Sequence, residues 1–240
     1  SNEVFLIYAL SCLAGALALY LLVEPPAKAE RSATGRADFS NLLKLVSQRQ
    51  ALISMLGITL YGAGYGIFLT TIPAILLQEK GFSTAQIGVY FSLFYVAISL
   101  SQVITGPLSD KFGRSIFMIL GLAVAVAGMV VTPMVKFPLI LVVLSVAGLG
   151  MGVFYLASMA FLNESVPDSL KGTVSGAYYL FWGIGMLSGP PIMTQIATSV
   201  SSQVSMTGYS VLLLLVAVGM MKILGWKSEK GKSLGTNKSY

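Results

Sequence analysis

The chain has 240 residues, of which 55% are hydrophobic and 10% are charged, and its formal net charge is +6. Soluble domains carry about 25% charged residues, so this composition indicates a polytopic protein of the lipid bilayer. The absence of histidine excludes a Ser-His-Asp triad and most zinc sites, and the single Cys12 can form no internal disulfide. The basic residues flank apolar runs, which is typical of topology signals beside anionic lipid and argues against nucleic acid as a partner.

Seven apolar stretches are long enough to cross a bilayer, since a span needs about 20 residues at 1.5 Å rise each. They cover residues 4–23, 51–77, 84–105, 115–135, 138–162, 172–197 and 208–224. The predicted fold is therefore all-α, a polytopic membrane helical bundle with seven transmembrane helices. Its predicted parts are a first span (1–23), a cytoplasmic linker (24–50), a block of six helices (51–225) and a basic cytoplasmic tail (226–240).

The basic residues also predict the orientation of the chain. Of the 15 Lys and Arg residues, 13 fall in alternate connections and only two in the others. The positive-inside rule makes the first set cytoplasmic, with the N-terminus outside and the C-terminus inside. An amphipathic helix at the cytoplasmic interface is predicted within the linker, because apolar residues recur there at helical spacing: Phe39, Leu42, Leu43 and Val46.

The connection between the third and fourth spans, residues 106–114, reads Gly-Pro-Leu-Ser-Asp-Lys-Phe-Gly-Arg. Gly106 and Gly113 permit a tight turn because neither carries a Cβ. Pro107 is expected to end the incoming helix. Asp110 is expected to accept hydrogen bonds from the free N–H groups that open the next helix.

This segment resembles the signature of the major facilitator superfamily of secondary transporters, written G-x-L-(small)-D-(R/K)-x-G-(R/K). The matching positions are Gly106, Leu108, Asp110, Lys111, Gly113 and Arg114. The family often has a further basic residue where Ser115 stands. The resemblance implies a carrier without catalytic residues, metal or cofactor that moves a small-molecule substrate across the bacterial cytoplasmic membrane. It also implies that the hairpin is a cytoplasmic gate, in which Asp110 bridges to a neighbouring helix N-terminus and to Arg114.

In a twelve-span facilitator both termini and the long central linker are cytoplasmic, and residues 24–50 resemble that linker. By this resemblance the first span is the sixth of the parent fold, and residues 51–225 form its C-terminal half. The missing N-terminal half is then a partner. The alternative is that the six-helix block is itself an N-terminal half. That half commonly carries an Arg inside its fourth span, and antiporter first spans often carry an Asp, but neither occurs at the equivalent places here.

The sixth span contains residues 185–190, Gly-Met-Leu-Ser-Gly-Pro, which resemble the G-x-x-x-G-P motif of proton-coupled antiporters. The family places that motif in the fifth span of its N-terminal half, whose pseudo-repeat counterpart is this sixth span. The resemblance makes Gly185, Gly189 and Pro190 an antiporter-like helix kink and favours the drug-efflux branch. A packing face with a kink explains them equally well, because glycine lets a neighbouring helix approach and proline bends a helix.

Aromatic residues cluster on the second, third, fifth and sixth spans, which by the resemblance form the C-terminal wall of the substrate cavity. The candidate cavity residues are Tyr61, Tyr65, Tyr95, Tyr155, Tyr178 and Trp182. Such a wall suits amphipathic or cationic organic compounds, although helix packing and interfacial belts also account for aromatic residues. No Asp, Glu, Lys or Arg lies in the middle of a span, so the titrating groups of a proton-coupled carrier are expected in the N-terminal half.

Other classes of membrane protein remain as alternatives. One is a self-contained half-size protein that acts as a homodimer or as a non-transporting regulator. A retinal pigment needs a Schiff-base lysine inside its last span, whereas Lys222 lies at the edge of that span. A membrane enzyme needs convergent nucleophiles, acids or metal ligands, and none is evident. A cytoplasmic charge cluster of Glu164, Asp168 and Lys171 is predicted near the hairpin.

Overall fold

The computed structural model describes residues 2–22 and 49–224, which fall into two units. The first unit contains a single helix, α1 (Asn2–Leu22). The second is a bundle of α2 (Arg49–Leu69), α3 (Thr71–Gln78), α4 (Thr84–Phe112), α5 (Arg114–Val131), α6 (Leu139–Glu164), α7 (Lys171–Ser199) and α8 (Ser202–Leu224). Short 3₁₀ turns at Thr132–Met134 and Asp168–Leu170 follow α5 and precede α7. Neither described range contains a strand, so the all-α prediction is confirmed.

Two predicted parts lie outside the described residues. These are the basic tail (226–240) and nearly all of the linker (24–50), including its amphipathic helix. Arg49 and Gln50, which the prediction assigned to the linker, open helix α2 instead. The backbone hydrogen bonds of a helix do not require apolar side chains, so the helix begins before the apolar run does.

Five helices of the described ranges can cross a membrane by their length and composition: Arg49–Gln78, Thr84–Phe112, Arg114–Met134, Leu139–Glu164 and Ser202–Leu224. They correspond to the second, third, fourth, fifth and seventh predicted spans. The first and sixth predicted spans are helical, as α1 and α7, but they are not among the five. Helix α7 has 29 residues, which is long enough, but its glycines, prolines and hydroxyl residues make it less apolar. Those two spans stay predictions.

The second span is broken near one end, where α2 stops at Leu69 and α3 starts at Thr71. Between them, Thr70 has φ −125° and ψ −59°, which is outside the helical region. Pro73 contributes to the break, because a proline has no N–H to donate to the carbonyl of Leu69 four residues earlier. The break therefore leaves a backbone acceptor without its helical partner at this end of the bundle.

The connection at residues 106–114 is much shorter than predicted. Helix α4 runs through Pro107 to Phe112, so the prediction that Pro107 ends the helix is wrong. A proline inside a helix removes one hydrogen bond, and the flanking residues keep the rest of the ladder. The chain changes direction at Gly113, whose φ of +104° lies in the region that favours glycine. The N–H of Gly113 still donates to the carbonyl of Ser109 at 3.0 Å.

The bundle consists of two triplets of long helices, α2–α4–α5, with α3 extending α2, and α6–α7–α8. Helix α2 packs on α7 and α8, α6 packs on α4 and α5, and α5 packs on α8. If the two triplets are exchanged, the α2–α7 contact becomes the α6–α4 contact, the α2–α8 contact becomes the α6–α5 contact, and the α5–α8 contact is unchanged. Short connections join consecutive long helices, which is typical of antiparallel neighbours, so α2 and α6, which open the triplets, are expected to run in opposite directions. The packing thus has the pattern of an inverted repeat.

Candidate functional site

Arg114 opens helix α5 and is the centre of a polar cluster at one end of the bundle. Its Nη2 lies 2.7 Å and its Nε 3.1 Å from Oε1 of Glu164, at the end of α6. It also pairs with the carboxylate of Asp110, near the end of α4. Its Nη1 donates to Oγ of Ser109 and, at 3.4 Å, to the carbonyl of Gly106. One guanidinium group thereby joins the ends of three helices.

The guanidinium is largely buried, whereas its two acidic partners face outward. The Arg114 side chain is 16% exposed, against 60% for Asp110 and 59% for Glu164. A guanidinium carries five N–H donors in a fixed planar fork, so it can hold several oxygen atoms at once. The predicted pairing of Asp110 with Arg114 is confirmed. The predicted capping of α5 by Asp110 is wrong, because Asp110 lies inside α4 with its carboxylate on Arg114, and α5 has no side-chain cap.

The other signature side chains face outward. Leu108 is 38% exposed and Phe112 is 46% exposed. The ammonium of Lys111 lies 5.5 Å from the centre of the Phe112 ring, and no acidic side chain of the described residues lies within 4.0 Å of it. Of the charged side chains in the signature, Asp110 and Arg114 therefore hold the helix ends together, and Lys111 does not.

A second ion pair lies in the connection between α6 and α7. Nζ of Lys171 is 2.6 Å from Oδ1 of Asp168. The hydrogen bond and charge of the Lys171 ammonium hold the pKa of Asp168 below its usual range. The predicted charge cluster of Glu164, Asp168 and Lys171 is therefore confirmed for Asp168 and Lys171 and wrong for Glu164, because α6 packs on α5 and brings Glu164 to Arg114 instead.

Gly113→Ala should destabilise the hairpin, whereas Gly106→Ala should not. A side chain at position 113 is strained by the positive φ, at a cost of about 1–2 kcal/mol. Gly106 lies inside α4, where an added Cβ would meet only Cδ2 of Leu156 at 3.8 Å, so the prediction of a turn glycine is wrong for this position. Thermal unfolding of the purified chain should show a midpoint lower by about 2–8 °C for Gly113→Ala alone. Equal shifts in the two variants would contradict the strained backbone at Gly113.

Five of the six predicted cavity residues belong to one connected set of rings. The centre of the Tyr61 ring lies 6.3 Å from that of Tyr65 and 6.0 Å from that of Tyr155. The Tyr155 and Tyr178 rings are 6.0 Å apart, and those of Tyr65 and Trp182 are 5.7 Å apart. Aromatic contacts therefore connect helices α2, α6 and α7.

Tyr95, the sixth predicted residue, joins this set through its neighbour on α4. Its ring lies 5.5 Å from that of Phe94, which in turn lies 6.0 Å from that of Tyr65. The helices of all four spans that were expected to form the cavity wall therefore contribute to the set.

The six predicted residues differ in their exposure. Tyr61 is 6% exposed and Tyr178 is fully buried, with its hydroxyl 3.1 Å from Oγ of Ser158. The other four reach the surface of the bundle: Tyr65, Tyr95, Tyr155 and Trp182. These four are therefore accessible to a ligand, whereas Tyr61 and Tyr178 are buried and pack against Tyr65 and Tyr155.

Tyr179 lies on the same surface, although the predicted set omits it. Its hydroxyl is 3.2 Å from the hydroxyl of Tyr155, and its ring is 6.4 Å from that of Trp182. The i, i+3 spacing of Tyr179 and Trp182 on one helix was the signal that could have found it. We define the aromatic surface by five residues: Tyr65, Tyr95, Tyr155, Tyr179 and Trp182.

The antiporter-like residues of α7 lie in its contact with α2. A Cβ added at Gly185 would overlap the carbonyl of Thr59, and one at Gly189 would lie 2.6 Å from the backbone of α2. On the α2 side of the same contact, a Cβ added at Gly66 would lie 2.9 Å from the ring of Pro190. Helix α7 continues through Pro190 without interruption. These residues therefore let two helix backbones touch, and a coupling role for them stays a prediction.

The charged residues of the described bundle lie near helix ends. They are Arg49, Glu79, Lys80, Asp110, Lys111, Arg114, Lys136, Glu164, Asp168, Lys171 and Lys222. In the described ranges, no group of three His, Cys, Asp or Glu residues is arranged to hold a metal ion. The described part of this chain therefore presents aromatic ring faces, neutral hydroxyl groups and the indole N–H of Trp182 at the aromatic surface, and no charged group.

Comparison with known proteins identifies the family. The profile of the Major Facilitator Superfamily matches residues 54–238, which is most of the chain. The chain belongs to the major facilitator superfamily. The match confirms the resemblance found in the segment 106–114, and the members of this family are generally membrane carriers rather than enzymes.

Curated relatives of this facilitator chain are bacterial transport proteins. It is 25% identical over 167 residues to the inner membrane transport protein YnfM of Escherichia coli, a match that covers 67% of this chain and 40% of YnfM. It is 28% identical over 168 residues to the oxalate:formate antiporter of Oxalobacter formigenes, covering 68% and 40%. It is 33% identical over 128 residues to the probable sulfoacetate transporter SauU of Cupriavidus necator, covering 52% and 29%. The facilitator chain therefore spans less than half the length of these relatives.

Proposed function

We propose that this chain is the C-terminal half of a proton-coupled transporter that exports a small organic molecule by alternating access. In this proposal α1 is the sixth span of the parent fold, and an N-terminal half is the partner that completes the cavity. The two inverted helix triplets are the pattern expected of one such half. The family match and the share of the relatives' length that the chain spans support the same assignment.

The proposed orientation places the Gly113 hairpin and the C-terminus in the cytoplasm and the N-terminus outside a bacterial cytoplasmic membrane. The distribution of basic residues supports it, because Lys and Arg accumulate in cytoplasmic connections. In this orientation the Arg114 cluster is a cytoplasmic gate. It ties the ends of α4, α5 and α6 together when that side of the transporter is closed.

The aromatic surface is the observation that carries the proposal. Four helices, α2, α4, α6 and α7, contribute rings to it, and the hydroxyls of Tyr155 and Tyr179 lie 3.2 Å apart on it. A surface of this kind on one half of a facilitator can hold a substrate that the other half covers from the opposite side. Ring faces attract cations and apolar groups, so an amphipathic or cationic compound is the first candidate substrate.

A small organic anion is the second candidate substrate. It is favoured by the names of two relatives, the oxalate:formate antiporter and the probable sulfoacetate transporter. The hydroxyls of Tyr155 and Tyr179 and the indole N–H of Trp182 are donors that a carboxylate or sulfonate accepts. The described helix interiors supply no opposite charge for an anion, so that charge would come from the N-terminal half.

Tyr179→Phe distinguishes the two candidates, because it removes the hydroxyl and keeps the ring. If the substrate is oxalate or sulfoacetate, its KM should rise about tenfold or more, since a hydrogen bond to a charged group contributes about 1.5–3 kcal/mol. If the substrate is tetraphenylphosphonium or ethidium, its KM should change by less than about twofold, and Trp182→Leu should weaken binding instead. The measurement is transport by the complete transporter in proteoliposomes.

Tyr209→Phe is the matched control for this experiment. The hydroxyl of Tyr209 donates to the carbonyl of Leu60 at 2.5 Å and lies outside the aromatic surface, so its loss should leave KM unchanged. Unchanged KM values for all four compounds in Tyr179→Phe and in Trp182→Leu would contradict the aromatic surface as the substrate site. Transport by a stable homodimer of this chain alone would contradict the assignment as one half of a larger carrier.

Proton coupling, in this proposal, uses groups outside the described helix interiors. Those interiors contain no Asp, Glu, Lys, Arg or His, so the titrating side chains are assigned to the N-terminal half. Export by the complete transporter should therefore follow an imposed pH gradient. If the rate of export did not depend on the pH gradient, the proposed proton coupling would be contradicted, but the proposed carrier function would not.

A further inference from the structure

A pocket lies at the end of the bundle opposite the Gly113 hairpin. It has a volume of 380 Å³ and lies between α3, the end of α7 and the start of α8. Six of its lining side chains carry a hydroxyl or a carboxylate: Thr70, Thr71, Glu79, Thr194, Thr198 and Ser202. None of them belongs to the aromatic surface or to the Arg114 cluster.

The pocket contains a buried hydroxyl that has no partner. Thr71 is 6% exposed, and its Oγ1 is the only buried side-chain oxygen or nitrogen of the described residues without a hydrogen bond. Buried polar groups are nearly always paired, so an exception that lines a cavity points to a binding site.

The polar groups of the pocket offer mainly hydrogen-bond acceptors. Three hydroxyl groups already donate their hydrogen within the protein. Thr70 donates to the carbonyl of Gly66 at 2.8 Å, and Thr198 donates to the carbonyl of Thr194 at 3.0 Å. Ser202 donates to the carboxylate of Glu79. These oxygens present only lone pairs to a ligand. In the part of the chain that the structure describes, Gln78 is the one lining residue whose side chain has an N–H donor.

The charge of the pocket is negative. Among the described residues, Glu79 is the only ionisable one that lines the pocket. The neighbouring Lys80 does not line the pocket, and its ammonium donates to the carbonyl of Pro133 at 3.3 Å. A ligand that enters therefore meets one carboxylate and several lone pairs.

We propose that this pocket binds the primary ammonium group of a small organic molecule or lipid headgroup. A primary ammonium carries three N–H donors and a positive charge, which match the acceptors and the carboxylate. The volume fits a small organic ligand and exceeds what a bare metal ion needs. This inference rests on the pocket and not on the proposed transport function, so either can fail without the other.

The test is calorimetric titration of the full chain in phosphatidylcholine nanodiscs at neutral pH with ethanolamine, tetramethylammonium chloride and sodium chloride. Ethanolamine should bind saturably. Tetramethylammonium, which has the charge but no N–H, should bind at least about tenfold more weakly, because hydrogen bonds to a charged group are lost. Sodium binding as tight as that of ethanolamine, or no saturable ethanolamine binding, would overturn the proposal.

Two variants assign the binding to this pocket. Glu79→Gln should weaken ethanolamine binding about tenfold or more, and the isosteric Thr71→Val should weaken it about fivefold. Asp168→Asn, at the opposite end of the bundle, and Thr207→Val, on the exposed face of α8, are the matched controls and should not change it. Thermal unfolding confirms that each variant is folded. Ethanolamine affinity that is unchanged in both pocket variants would overturn the assignment.

A lipid headgroup and a free amine are distinguished in the same assay. Phosphatidylethanolamine in the nanodisc carries the same ammonium group. If adding this lipid raises the apparent dissociation constant of ethanolamine, the headgroup occupies the pocket. If the lipid has no effect while free ethanolamine binds, the ligand is a soluble amine.

Discussion

Gly185→Ala should lower the thermal unfolding midpoint of the bundle more than any other glycine-to-alanine substitution in α7. The added Cβ would overlap the carbonyl of Thr59 and lie 2.8 Å from the backbone nitrogen of Ala63. Backbone atoms cannot rotate away as a side chain can, so α7 would have to move off α2. Forcing extra atoms into a packed interface costs about 1–3 kcal/mol or more. For a chain of this size that cost corresponds to a midpoint lower by about 2–12 °C.

Gly183→Ala, two residues earlier on the same helix, is the matched control. A Cβ at that position would meet nothing within 4 Å. Alanine is favoured over glycine inside a helix by roughly 0.5–1 kcal/mol, so this variant should be neutral or more stable. The measurement is thermal unfolding in detergent, with gel filtration as the check on aggregation. Equal midpoints for the two variants would contradict the backbone contact between α2 and α7.

Asp110→Asn should reduce transport by the complete transporter about two- to fivefold while the protein inserts and folds normally. Asp110 is 60% exposed, so its ion pair with Arg114 contributes only about 0–1 kcal/mol to folding stability. In the proposed gate the same pair helps to hold the closed state. A loss of up to about 1 kcal/mol there would shift the ratio of closed to open states by up to about fivefold. The measurement is the initial transport rate in proteoliposomes, normalised to the amount of folded protein.

Two variants show whether the effect belongs to the Arg114 cluster. Asp168→Asn removes a carboxylate at the same end of the bundle, but one that pairs with Lys171, and should leave transport unchanged. Arg114→Lys keeps the charge and loses the planar fork, so it should lower transport to an intermediate level. Wild-type rates in Asp110→Asn would refute the gate, and equally low rates in Asp168→Asn would show that the loss is not specific to the cluster.

Local patterns predicted the features that depend on nearby residues. Asp110 and Arg114 are four residues apart, and they pair. Tyr61 and Tyr65 have the same spacing, and their rings are 6.3 Å apart. Helix ends were predicted less well, because hydrogen bonding continues past the apolar run. The third span was expected to end at residue 105, but α4 extends to Phe112.

Contacts between distant parts of the chain could not be predicted from one sequence. Glu164 lies 50 residues after Arg114, and their pairing depends on how α5 packs on α6. The burial of Tyr178 has the same origin, since spacing tells which residues share a helix face but not which neighbour covers that face. The pocket at Thr71 is formed by α3 and the α7–α8 connection, which are more than 120 residues apart in the sequence.

Cysteine labelling of the hairpin tests the central claim, that this chain is a facilitator half with its Gly113 hairpin in the cytoplasm. Cys12→Ser first removes the native thiol, and Lys111→Cys or Lys136→Cys then places a single thiol at an exposed position at one end of the bundle or the other. With a membrane-impermeant maleimide, we expect position 111 to react only in inside-out vesicles and position 136 only in intact cells. Labelling of position 111 in intact cells would contradict the topology and, with it, the proposed gate.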